Sequence, residues 1–208
     1  MVVFDLGGVL VHVAQRWRQA VERAALPTQT LQNLDVPLDH CPQFVDYQAG
    51  AVGQSAYLES LRGYLGLESE LQALLAHDGI LLRPTLGSLD FVRQLHAAGI
   101  RTGCLSNTNA AHWDVMSDSA NFPAIAMLQV PGLSHVMRLE KPSLQIYRAY
   151  EALAGVEADE ILFFDDLAPN VAGAREVGWD AVRIDPENGP VEQMKAACRE
   201  RGLLSPVQ

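Results

Sequence analysis

The chain has 208 residues, enough for one domain or for one domain carrying a modest insertion. Apolar residues make up 49% and charged residues 19%, which excludes a disordered chain and leaves material for a buried core. The formal charge of −10 argues against nucleic acid as a partner, because its phosphates need a positive surface.

The first residues, MVVFD, form a strand candidate without polar alternation, as expected for a central strand. They carry no basic region followed by a long apolar run, and no run of about 18 apolar residues follows anywhere, so neither a signal peptide nor a membrane span is expected. From about Ala14 to His77 the chain reads as helical. Tyr57, Leu58, Leu61, Tyr64 and Leu65 form one stripe, and Leu71, Leu74 and Leu75 a second. The gap before the next strand is far longer than a crossover needs, so residues 14–79 are expected to form a small helical insertion beside a core of 1–13 and 80–208.

After the insertion, strand and helix alternate. Leu86, Leu89, Val92 and Leu95 give one face of a helix over Leu86–Ala98, Gly99 stops it, and Ile100–Leu105 reads as a strand. Leu144–Ala154 is helical through Ile146, Tyr150 and Leu153, Ile161–Phe164 is a buried strand, Val171–Val177 a short helix and Trp179–Ile184 a last strand. One more helix is expected after Pro186. The alternation predicts an α/β fold, a Rossmann-like parallel sheet with helices on both faces. Cys41, Cys104 and Cys198 are odd in number and far apart, which fits neither a disulfide framework nor a zinc site and suits a reducing, cytoplasmic compartment.

Parallel sheets bind ligands at the carboxyl ends of their strands. Three runs end strands in polar residues: Asp5-Leu6-Gly7-Gly8, Leu105-Ser106-Asn107-Thr108-Asn109 and Phe164-Asp165-Asp166; Lys141 lies between the last two in sequence. A carboxylate can attack phosphorus. The anionic site then needs charge neutralised by a lysine and a divalent cation, and donors for the transferring oxygens. Singly, each feature is as well explained by a turn, a cap or a surface residue; the order and strand context make the set specific.

The segments FDLGGVLV, CLSNTN, EKPSLQIYRAYEALAGV and FFDDLAPNVAGAREVGW resemble, in order, the four motifs of the haloacid dehalogenase-like superfamily. The resemblance covers almost the whole chain except the insertion, which stands where that family carries a helical cap after its first strand. It implies a Rossmann-like core, Asp5 as nucleophile, and Ser106, Asn107 and Lys141 as the phosphate grip. It also implies Mg²⁺ on Asp5, the Gly7 carbonyl and Asp166, with Asp165 as an outer-shell or second direct ligand. The activity implied is Mg²⁺-dependent hydrolysis of a small-molecule phosphate ester. Oligomeric state is not legible in the sequence.

One position departs from the pattern. Phosphatases of the family usually carry a second Asp two residues after the nucleophile, as general acid and base; here it is Gly7. Such catalysis contributes about 10²–10⁴-fold. A subgroup of bacterial sugar-phosphate phosphatases, including those acting on glucose 1-phosphate, is similar in its Asp-Leu-Gly start and later Asp-Asp pair. His12 is the first candidate to replace the missing acid. Two other functions stay open. 2-Haloacid dehalogenases also lack the second Asp, but carry a serine and an asparagine where this chain has Asp165 and Asp166. A catalytically silent relative that binds phosphometabolites is the third.

Overall fold

The computed structural model describes residues 1–205. Strand β1 (Val2–Phe4) leads through a tight turn into β2 (Val11–Val13). Helices α1 (Trp17–Arg23), α2 (Phe44–Gln48), α3 (Gln54–Leu65) and α4 (Glu70–Asp78) follow, and β3 (Leu81–Pro84) returns beside β2. Then come α5 (Ser88–Ala97), β4 (Thr102–Ser106), α6 (Ala110–Met116), α7 (Pro123–Ala126), β5 (Val130–Leu133) and α8 (Ser134–Met137). The remainder is α9 (Leu144–Ala154), β6 (Leu162–Asp165), α10 (Ala168–Glu176), β7 (Asp180–Arg183) and α11 (Pro190–Glu200).

Five strands make one sheet in the order β5-β4-β1-β6-β7, and every neighbouring pair is parallel. The strand order places β1 at the centre, as its unbroken apolar run requires. Alternate residues feed two cores. Val2, Phe4, Cys104, Leu162 and Phe164 face α5, α7 and α11, while Val3, Leu105 and Phe163 face α9 and α10. Phe4 stacks on Phe164 at 5.9 Å and meets Phe91 edge-on at 6.0 Å. Each such fully buried ring contributes roughly 1.5–3 kcal/mol. This is the predicted α/β architecture, a Rossmann-type parallel sheet flanked by helices.

The helices between β2 and β3 pack around a hydrophobic cluster of their own that includes Trp17, Phe44, Tyr57, Leu61 and Leu65. Their entry and exit run side by side: β2 and β3 are antiparallel, and the Ala14 amide donates to the Ile80 carbonyl at 2.9 Å.

Several expected details differ. Leu71 and Leu75 are exposed; α4 buries Ala73, Ala76 and His77 instead, and the two small alanines let it approach α1 and α3. Leu86 precedes α5 and is exposed, and Phe91 takes its place on the buried face. On α9 the buried face is Ile146, Tyr147, Tyr150 and Ala154, with Leu153 outside. Helix α10 begins three residues earlier than expected, with Pro169 in its first turn, where a missing N–H costs nothing. Strands β2, β3 and β5 were not anticipated from the sequence.

Candidate active site

Strand register sets the site. Phe4 pairs with Cys104 on one side and Phe164 on the other, so Asp5, Ser106 and the pair Asp165–Asp166 leave the sheet at one edge. The loop before α9 brings Lys141 to the same place. Its ammonium is buried, 3.0 Å from Asp5 Oδ1 and 2.6 Å from Asp165 Oδ2. Burial pulls this ammonium down, but Asp5 and Asp165 together more than reverse the effect, so it stays charged.

The two aspartates that Lys141 joins are otherwise held differently. Asp165 accepts from the Leu167 amide at 2.8 Å and the Asn170 carboxamide at 3.0 and 3.1 Å. Both its oxygens are occupied, so it holds the lysine and the start of α10 in place. Asp5 accepts from the Leu6 amide at 2.7 Å on Oδ1, the oxygen that also faces Lys141. Its Oδ2 has no donor among the described residues and is the oxygen left for chemistry. Burial pushes the Asp5 carboxyl up to about 6, against the pull of Lys141, so it is ionised at neutral pH.

Among the described residues no cation pairs with the Asp166 carboxylate. Burial, then Asp5, then Asp165, raise it to about 7. Carboxylate oxygens of Asp5, Asp165 and Asp166 lie within 4.8 Å of one another. Three carboxylates share one lysine, leaving an excess of two negative charges when all are ionised. An all-oxygen donor set with that excess suits a hard divalent cation such as Mg²⁺.

Ser106 is buried at the end of β4, lines the cavity above Asp5, and its hydroxyl has no partner among the described residues. The Asn107 carboxamide is engaged within the protein. Its Nδ2 donates to the Lys141 carbonyl and its Oδ1 accepts the Lys141 amide, both at 2.9 Å, so the carboxamide clamps the lysine's backbone. Gly7 lines the cavity too. A Cβ there would lie 3.6 and 3.7 Å from the Val13 methyls, in ordinary van der Waals contact. His12 is not part of the cavity: it pairs with Arg83 on β3 and feels Glu187, while its neighbour Val13 faces the site.

The cavity holds about 420 Å³, and helical-insertion residues including Leu38, Phe44 and Gln48 complete its wall. His112 also lines it, an involvement the sequence hinted at only through its position after Asn109. Its Nε2 donates to the His77 carbonyl at 3.0 Å, and burial takes its pKa down to about 4. At neutral pH it is an uncharged ring with both nitrogens engaged, which argues against a role as general acid. No helix among the described residues is long and apolar enough to cross a membrane.

Residues 1–178 match the model of the haloacid dehalogenase-like hydrolases. Curated relatives include an (S)-2-haloacid dehalogenase of Pseudomonas putida, 25% identical over 134 residues, 64% of this chain. The match spans 57% of that relative's length. A predicted HAD-like family hydrolase from Porphyromonas gingivalis is 25% identical, with a TM-score of 0.78 over 95% of this chain and 97% of its own. A HAD family enzyme from Bacteroides thetaiotaomicron, solved as a mutant in complex with magnesium and inorganic phosphate, shares the fold. It has a TM-score of 0.74 and 23% identity, over 88% of this chain and 92% of its own.

Proposed function

Because the chain belongs to the haloacid dehalogenase-like hydrolases, we propose that it is a Mg²⁺-dependent phosphatase of small phosphorylated metabolites, sugar phosphates among them. The observation that carries this reading is the charge imbalance at the strand ends: three clustered carboxylates, one of them without a cation among the described residues, around one buried lysine. The magnesium and phosphate bound by the Bacteroides relative agree with it.

In this reading Asp5 Oδ2 attacks phosphorus, the bond to the ester oxygen breaks, that oxygen takes a proton from solvent and leaves as the alcohol, and an aspartyl-phosphate forms on Asp5. Water then attacks that phosphorus, releasing inorganic phosphate and restoring the carboxylate. Lys141 and the Leu6 amide hold Oδ1, which leaves Oδ2 to face the substrate. Ser106 donates to a transferring oxygen, and Asn107 acts through the lysine it clamps. When bound, Mg²⁺ held by Asp5, the Gly7 carbonyl and Asp166 would offset charge on the phosphoryl group. Asp165 supports it from behind Lys141.

Mg²⁺-dependent phosphate release from an aryl phosphate tests the reading. Asp5→Asn should lower kcat by at least about 10³-fold, because the amide is no nucleophile. Activity retained in Asp5→Asn would overturn the covalent mechanism.

One observation favours a second reading. The likeness to curated 2-haloacid dehalogenases, together with Gly7, fits an Asp5 that attacks carbon. Under that reading halide release would survive EDTA. We rank it second because Asp165 and Asp166 place extra negative charge beside an anionic haloacid.

A further inference from the structure

The far wall of the cavity limits which ester can enter. Resting on the phosphatase reading, we infer that the enzyme selects monophosphates whose leaving group is uncharged and polyhydroxylated. Asp39, with Gln15 and Gln48, enforces that choice by excluding a second anionic group.

Among the described residues lining the cavity, Lys141 is the one cation, and it is held between Asp5 and Asp165 at the phosphate end. His112 is uncharged at neutral pH. A second phosphate or a carboxylate on the leaving group would therefore find no positive side chain to replace its water. It would instead meet Asp39, which stands exposed at the mouth of the cavity and takes part in no ion pair among the described residues.

What the wall offers fits hydroxyl groups. The carboxamides of Gln15 and half-buried Gln48 have no hydrogen-bond partner among the described residues, although both residues use their backbones. Amides both donate and accept, and Asp39 accepts only, so together they can satisfy several hydroxyls. Leu38 and Phe44, on the same wall, offer apolar surface to the C–H faces between those hydroxyls. A volume of about 420 Å³ is at the small end for ligand pockets, which favours a leaving group of monosaccharide size.

The test compares two probes matched in size and one smaller, cationic ester. Purified enzyme with Mg²⁺ is given sorbitol 6-phosphate, 6-phosphogluconate, which differs by a carboxylate, and O-phosphoethanolamine, with an aryl phosphate as a common reference. We expect kcat/KM for the sorbitol ester to exceed that for the gluconate by about tenfold, and Asp39→Asn to shrink this ratio about two- to fivefold, within the range of exposed charge pairs at contact. Asp39→Lys should move it further in the same direction. About 1 M NaCl should narrow the wild-type ratio, because screening then acts within ~3 Å, and should leave that of Asp39→Asn nearly unchanged. A ratio near one in the wild type, a ratio that neither Asp39 variant moves, or a preference for the ethanolamine ester would overturn the inference while the phosphatase reading stands. No release from any ester, the aryl phosphate included, would overturn both.

Discussion

Gly7 and Gly8 are neighbours with opposite requirements. Gly8 has φ +72°, and a Cβ on it would lie 2.5 Å from Asp166 Oδ2. Gly8→Ala should therefore cost about 1–2 kcal/mol for the left-handed backbone and also displace Asp166, so stability and Mg²⁺-dependent turnover should fall together. Gly7 has no such backbone demand, and the space beyond its Cα is bounded by Val13 methyls at ordinary contact distance. Gly7→Asp should fold, and its carboxyl, set against Val13 and near three other carboxylates, should titrate high enough to serve as an acid. We expect the ratio of kcat/KM for an alkyl phosphate over an aryl phosphate to rise, since the poorer leaving group needs the proton more. A flat ratio in a folded, Mg²⁺-binding variant would mean that protonation is already supplied. The two glycines look alike in the sequence; only the turn geometry says which is required. The same holds for Asn107: its place after a strand is legible, but its pairing with the Lys141 backbone across 34 residues is not.

At the scale of elements, α4 is tied to the core by a buried chain of hydrogen bonds. Tyr57 Oη meets His77 Nδ1 at 3.0 Å, His77 Nε2 meets Asn109 Oδ1 at 3.1 Å, and Asn109 Nδ2 meets His112 Nδ1 at 3.3 Å. His112 Nε2 closes the circuit on the His77 carbonyl, and the two imidazoles stack at 3.9 Å. Every donor finds an acceptor only if both rings are neutral. Burial lowers both, His77 well below its ordinary value and His112 to about 4. The sign follows: from the ordinary value of about 6.5 down to about 4 the unfolded chain binds the proton and the folded one does not. This stability is therefore complete above about 6.5 and is lost as pH falls towards 4, at up to about 1.4 kcal/mol per pH unit for each ring. Urea midpoints for wild type and His112→Gln should show the variant less stable at pH 7 by about 1–3 kcal/mol and the gap closing as pH falls. A gap that stays constant would deny the pair this role. Nothing periodic announces the network, and of the three leucines on α4 only Leu74 packs partly inward, while Ala73, Ala76 and His77 make the buried face. Strand β5 was hidden for a comparable reason. Pro131 and Gly132 read as a turn, yet they sit on an edge strand, where a proline is tolerated, and a side chain at Gly132 would run into the Tyr150 ring. The central strands were legible because burial on both faces leaves an unbroken apolar run.

For the whole molecule, the excess negative charge at the strand ends couples metal, proton and stability. Folding raises Asp5 to about 6 and Asp166 to about 7 from an ordinary 3.8. In the metal-free protein these groups favour the folded state while protonated. That contribution is fully present below about 3.8 and is lost as pH rises through about 6 and 7. Mg²⁺ would replace the protons, so its effect on stability should be largest where the protons are gone. At pH 8, with the ion at about 100 times its Kd, the gain is about 2.7 kcal/mol, or roughly 5–10 °C in Tm for a chain of this length. At pH 5.5 the same concentration should do far less, because protons compete for the same oxygens. Thermal melts with Mg²⁺ or EDTA at the two pH values measure this directly, without relying on turnover. Asp166→Asn should melt higher than wild type in EDTA at pH 8, since it removes one uncompensated charge, and should lose most of the Mg²⁺ shift. If wild-type Tm is the same with Mg²⁺ and with EDTA at pH 8, the carboxylates hold no ion, and a metal-independent Asp5, as in the dehalogenase reading, becomes the better account of the site.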